Sequence, residues 1–201
     1  RFHGILPTLP AVTDEADGFS QAELDRLMTL AADSHGLTDW TDSYNDGQLL
    51  NRLVQVGRIA RQSGNDVLAD RIVKLVKERL EDWLSYKQSD VAFMFYYHRE
   101  WSTLLGYPAG HGQDTNINDH HFHWGYLIHS AAFVEENEPG WKDRWGAMTA
   151  MLVRDAACAD RNDSMFPYLR NFSPYAGHSW ANGTANIGLG CDQESASESM
   201  Q

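Results

Sequence analysis

Apolar residues recur through the first half of the chain at intervals of three and four, the spacing that lays them on one face of an α-helix. Leu24, Leu27, Met28 and Ala31 make the first such stripe. It opens at Ser20-Gln21-Ala22-Glu23, a capping box in which the serine accepts from the third helical amide and the glutamate reaches back. Gly36 closes it. Leu49, Leu53, Val56 and Ala60 form a second stripe, opened by Thr41-Asp42-Ser43-Tyr44-Asn45-Asp46-Gly47 and ended by Gly64. Asn65 caps a third helix striped by Leu68, Ile72, Leu75, Val76, Leu80 and Trp83. A Gly-Asn turn between two long helices predicts an αα-hairpin. Ahead of all this, residues 1–12 carry Pro7 and Pro10 and predict an extended lead-in.

The helical period is lost over residues 90–112. Val91-Ala92-Phe93-Met94-Phe95-Tyr96-Tyr97 is a short apolar and aromatic run, compatible with a strand or a buried extended segment. The remainder is a Gly/Pro-punctuated loop, and a long aromatic loop between helices is more often functional than a plain connection. Helical spacing resumes over residues 121–136, with Leu127, Ala131 and Val134 inward, until Pro139-Gly140 breaks it. A fifth helix runs from 141 to about 157, striped by Trp141, Trp145, Met148 and Leu152. Residues 162–186 form a second long loop rich in aromatic residues, proline and glycine, and residues 193–201 read as a loop turning into a helix. The expected architecture is all-α: antiparallel helical hairpins with long aromatic loops, forming a toroid or part of one.

Composition narrows the function classes. At 201 residues the chain can bury a sizeable core as one domain. It has no run of eighteen apolar residues that would suggest a membrane span. A net charge of −12 argues against nucleic acid, whose phosphates require a basic face. Cys158 and Cys191 are too few for a disulfide framework, so one bridge and two buried thiols both stay open. The chain starts at Arg1, without an initiating Met, and reads as a piece of something longer.

The candidate chemistry sits in Asn118-Asp119-His120-His121-Phe122-His123-Trp124-Gly125-Tyr126, which puts one carboxylate, three imidazoles and three aromatic rings into nine residues. Packing requires no such mixture. Asp192-Gln193-Glu194-Ser195-Ala196-Ser197-Glu198 answers it near the other end, with Glu194 75 positions after Asp119. Glycoside cleavage needs two carboxyl groups flanking the bond, one to protonate the leaving oxygen and one to act on water or as nucleophile. The plain alternative for Asp119 is a helix cap. A helix N-terminus also favours the charged carboxylate, whereas a general acid must hold its proton. Ser195-Ala196-Ser197-Glu198 fits a capping box, so Glu198 can serve a helix start, while Glu194 lies before that cap and has no such duty. On a helical turn the two would lie i, i+4, where acids repel unless they bind something. This favours Glu194 as base and Glu198 as an auxiliary.

His120, His121, His123 and His129 raise the question of a metal, but no His-Glu-x-x-His is present and adjacent imidazoles diverge. No metal or cofactor is expected. His123 is expected to hydrogen-bond a sugar hydroxyl or the acid, and His120 and His121 to be structural. Tyr97, Trp101, Tyr107, Trp124, Tyr126, Tyr175 and Trp180 are candidates to line a groove, though each alone could plug the core. His178-Ser179-Trp180-Ala181-Asn182-Gly183 joins polar groups and a ring in one Gly-flanked loop. There is no phosphate-cradling glycine loop and no Gly-x-Ser-x-Gly elbow.

Taken together, the Asn118–Tyr126 motif, Arg154-Asp155-Ala156, Phe166-Pro167, Tyr175-Ala176-Gly177-His178-Ser179-Trp180-Ala181-Asn182-Gly183 and Gln193-Glu194-Ser195-Ala196-Ser197-Glu198 resemble glycoside hydrolase family 81, the endo-β-1,3-glucanases, in the family's order. The resemblance implies an inverting, cofactor-free hydrolase of β-1,3-glucan, secreted or at the cell surface. Its fold would be an (α/α)6 toroid, with residues 13–201 a partial catalytic domain truncated at its C-terminus and residues 1–12 leading in from a missing region. It implies Asp119 as general acid, Glu194 as general base and Glu198 as a second active-site carboxylate. Sugar contacts would come from His123, Tyr97, Trp101, Tyr126, His178, Trp180 and Gln193. Two positions depart from the usual pattern: His98 follows Tyr97 where relatives often carry Asp, and Ser173 stands where Asp is frequent. The rival readings are a non-catalytic β-glucan-binding module or inactive fragment, and a histidine-cluster metalloprotein.

Overall fold

The computed structural model of the chain describes residues 18–38, 41–86, 93–170, 172–175 and 178–181. Five helices appear among them: α1 (Gln21–Asp33), α2 (Ser43–Gln62), α3 (Asp66–Leu84), α4 (His120–Asn137) and α5 (Lys142–Ala157). Two strand pairs interrupt the helices. β1 (Met94–His98) and β2 (Thr103–Tyr107) form an antiparallel hairpin in which Tyr96 faces Leu105, and β3 (Phe172–Ser173) pairs with β4 (His178–Ser179). The fold is therefore mostly helical but not all-α. Thr103-Leu104-Leu105-Gly106-Tyr107 lacks strict alternation because both faces are covered, Thr103 to Gly106 all being buried.

The local signals act largely as their chemistry dictates. Ser20 accepts from the Glu23 amide at 3.4 Å, but the reciprocal half of the box is absent, since Glu23 turns outward to a two-bond contact with Arg26. Asp42 caps α2 through the amides of Tyr44 and Asn45, and Asn65 caps α3 through Leu68. Gly64 takes the left-handed φ of +82° that separates the two helices of the hairpin.

The core lies where α4 packs against α2, α3 and α5. The buried face of α2 is Ser43, Asp46, Gly47, Leu50, Leu53, Val54, Gly57 and Ala60, one position round from the expected stripe, leaving Leu49 and Val56 half-buried. On α1 the core positions are Met28 and Ala32, while Leu27 is 48% exposed. Two polar anchors cross the core. Asp46 accepts from the Trp83 indole at 2.6 Å, and Glu81 accepts from both Trp141 (2.9 Å) and Trp145 (3.1 Å), tying α3 to the start of α5. Gly106 approaches the Trp124 ring so closely that a Cβ would lie 3.0 Å from it, which seats the hairpin on α4.

Candidate active site

Asp119 immediately precedes α4, yet it does not cap it. Its backbone is left-handed (φ 56°, ψ 26°) and its side chain makes no capping bond. An ordinary N-cap residue is extended, which aims its side chain back at the helix amides. Here the amides of Phe122 and His123 bond the Asp119 carbonyl instead, at 2.9 and 2.8 Å. The carboxylate is buried, 7% of the residue being accessible, and one oxygen accepts from the Asn118 side chain at 2.8 Å. Asn118 also donates to the His111 carbonyl, fixing the loop alongside. The Asp119 amide donates to the Ala181 carbonyl at 2.7 Å, which joins the central motif to the loop after β4. The Asp119 side chain therefore makes no bond to the amides of the helix it precedes.

The three neighbouring histidines have distinct surroundings. His120 is fully buried, with Nδ1 2.6 Å from Asp155 and Nε2 2.7 Å from the Gln113 carbonyl. His121 is buried, and desolvation together with the nearby His120 lowers its pKa to about 4. His123, expected to meet a sugar hydroxyl, has no accessible surface: its ring lies behind Tyr44, with Nδ1 2.7 Å from the Ser43 hydroxyl. Its Nε2 has no partner among the described residues. Desolvation, then the neighbouring imidazoles, push its pKa down to about 3. His129 is held between Arg58 (2.6 Å) and Asn51 (3.0 Å). Among the described residues no three of the His, Cys, Asp and Glu side chains are grouped to hold a metal ion.

Asp155 is the polar hub that sequence reasoning passed over except as part of a motif. It is fully buried. One oxygen accepts from the Trp124 indole and from His120, both at 2.6 Å. The other accepts from Thr103 (2.9 Å), the Leu104 amide (3.0 Å) and Arg170 (3.4 Å). Burial alone would raise its pKa, but the His120 charge and hydrogen bond, Arg170 and the Leu104 amide outweigh burial and lower it. Beyond the Arg154-Asp155-Ala156 motif, its signal in the sequence was an acid placed three positions after Leu152 on the inward face of α5.

The aromatic candidates divide. Trp124 is completely buried and belongs to the core, and Tyr126 is 6% exposed, its ring against Gly47 of α2. Tyr97 is half-buried and donates to the Met165 carbonyl at 2.6 Å, with its ring edge-on to Phe166. Trp101, 43% exposed, stacks on His98 at 4.5 Å. Tyr107 and Tyr175 are exposed and Trp180 half-buried. Unforeseen in the sequence, Tyr44 and His111 (ring centroids 4.3 Å apart) join Phe122 in an accessible ring cluster beside the Asp119 turn. His178 lies in β4. Gln193, Glu194, Glu198 and Cys191 lie outside the described residues.

The site is a helical core with a buried carboxylate held at a left-handed turn just before α4. The sequence profile of the glycosyl hydrolase family 81 C-terminal domain matches residues 21–201, and the chain belongs to this family. It is 43% identical to a glucan endo-1,3-β-D-glucosidase of Acetivibrio thermocellus over 100% of this chain and 26% of the relative. It is likewise 43% identical to one from Thermobifida fusca, over 98% of this chain and 26% of that protein. A solved structure of a mutant of the family 81 enzyme CtLam81A from Clostridium thermocellum superposes with a TM-score of 0.89 at 43% identity, covering 99% of this chain and 28% of that one. The chain thus spans about a quarter of the length of these relatives.

Proposed function

We propose that this chain contributes to endo-acting hydrolysis of β-1,3-glucan by inversion. Asp119 gives its proton to the glycosidic oxygen while Glu194 takes one from a water on the opposite face, and Glu198 assists as a second carboxylate. The observation that carries the reading is the state of Asp119: buried, left-handed and turned off the helix amides. The two glucan endo-1,3-β-D-glucosidases with 43% identity supply the substrate class. Trp101 and Tyr97 offer rings to the glucan from the β1–β2 hairpin, and Tyr126, His123, His178, Trp180 and Gln193 complete the sugar contacts. A polymeric glucan implies action outside the cell.

The test is reducing-sugar release from laminarin by the intact polypeptide, beside Asp119→Asn and Glu194→Gln. Each variant is expected to lose at least about 10²-fold in kcat, the low end of what a positioned acid or base contributes, while keeping its fold by circular dichroism. Undiminished turnover in either would move that role elsewhere, Glu198 first. Binding of laminarin without cleavage by the unmutated polypeptide would leave a binding module.

A further inference from the structure

We propose that Asp155 and His120 are positioning residues for the Asp119 carboxylate, holding it away from the helix cap it would otherwise form. The inference rests on the reading of Asp119 as general acid. Ile117 and Asp119 both have positive φ, 53° and 56°. That backbone is unfavourable for residues with a Cβ and most of all for a β-branched one, and it persists only where the surroundings over-determine it. On one side of Asp119 the restraint is its amide on the Ala181 carbonyl. On the other it is His120, the next residue, clamped at both ring nitrogens.

The clamp is directional. The Gln113 carbonyl can only accept, so Nε2 of His120 donates to it, and Nδ1 shares its proton with the Asp155 carboxylate. Gln113 is itself fixed, accepting from the Gly106 amide at 3.1 Å. Asp155 is oriented in turn by Thr103 and Leu104 of β2, by Arg170 and by Trp124 one turn further along α4. One carboxylate thereby ties the first turn of α4 to β2 and α5. Burying an aspartate, an imidazole and a guanidinium together is costlier than packing apolar side chains of equal volume, so stability is a poor account of this cluster. What it supplies is orientation. With the clamp loosened, residue 119 relaxes to the extended backbone of an ordinary N-cap. Its carboxylate then accepts from the helix amides, which favours the charged form and disables a proton donor.

The experiment compares Asp155→Asn with Asp119→Asn in the intact polypeptide on two substrates. Laminarin has a leaving group that needs protonation; a 2,4-dinitrophenyl β-1,3-gluco-oligosaccharide has one that does not. Asp155→Asn is expected to lose about 10²-fold in kcat on laminarin, with KM within about threefold, and to lose much less on the aryl substrate. The alkaline limb of its kcat profile should also move to lower pH, as expected for an acid whose charged form has been favoured. Equal losses on both substrates, or no loss, would overturn the proposal. If Asp155→Asn fails to fold, Thr103→Val decides, removing one donor to Asp155 at nearly constant volume: the same substrate contrast at smaller amplitude supports the proposal, and parallel or absent losses overturn it. If Asp119→Asn itself shows no leaving-group dependence, the general-acid assignment fails, which is distinguishable from failure of the clamp alone.

Discussion

Burial lowers the proton affinity of two histidines in the first turn of α4, His121 and His123, and this has a measurable consequence. His121 and His123 have folded-state pKa values lowered to about 4 and about 3 from 6.5, desolvation being the main cause in each. Between those values and 6.5 the unfolded chain binds protons that the folded chain refuses. Stability is therefore expected to fall as pH drops through this window, by up to about 1.4 kcal/mol per pH unit for each histidine. Asp155, lowered through its charged partners, adds a loss in the same direction below the ordinary aspartate range. Asp46 is raised, chiefly by burial, so its contribution has the opposite sign and weakens the fold as pH rises through its folded value. Urea midpoints between pH 7 and 4.5 test the balance, and His123→Gln should flatten the slope. A midpoint that is flat with pH in the unmutated chain would contradict the burial of these rings.

At the scale of elements, the close approach of α2 to α4 depends on two glycines inside a helix, where glycine is otherwise unfavourable. A Cβ at Gly47 would lie 2.5 Å from the Tyr126 ring, and one at Gly57 would lie 2.7 Å from the Phe133 ring. Alanine at either position gains helix propensity but overpacks the interface. A net destabilisation of about 1–3 kcal/mol is expected by chemical denaturation, larger at Gly47 because Tyr126 is pinned among Tyr44 and Phe122. A stabilised variant would show that the helices can separate freely. The α2 stripe was legible in the sequence to within one position. On α4 the expected inward residues Leu127, Ala131 and Val134 are buried, but the stripe understates the buried face, because His120, His121, His123, Trp124, Tyr126 and Phe133 are inward as well. Once polar and aromatic side chains share the buried surface, apolar periodicity no longer marks the face.

For the molecule as a whole, the stereochemistry of the products is the decisive observable. An inverting enzyme acting on β-1,3-glucan should release the α-anomer first, seen by proton NMR before mutarotation; initial β-anomer would point to a retaining mechanism and a closer carboxyl pair. A chelator is expected to leave the rate unchanged, and a loss restored by a metal would revive the metalloprotein reading. Among the described residues, no helix is long and apolar enough to cross a membrane.

The sequence by itself determined the helices, the caps at Ser20 and Asn65 and the αα-hairpin, because these follow from side chains acting within a few residues of one another. Its ordered motifs also carried the family, and its two carboxylate stretches marked the candidate chemistry. Only the tertiary structure decided that Thr103 to Tyr107 is a strand, since its partner lies across a turn and both its faces are covered by other elements. Only there does Asp155 become the hub of five hydrogen bonds, with donors drawn from β2, α4 and Arg170. The left-handed turn at Asp119 belongs to the same class. Local propensity would have made that residue a cap, and contacts with residues distant in sequence override it.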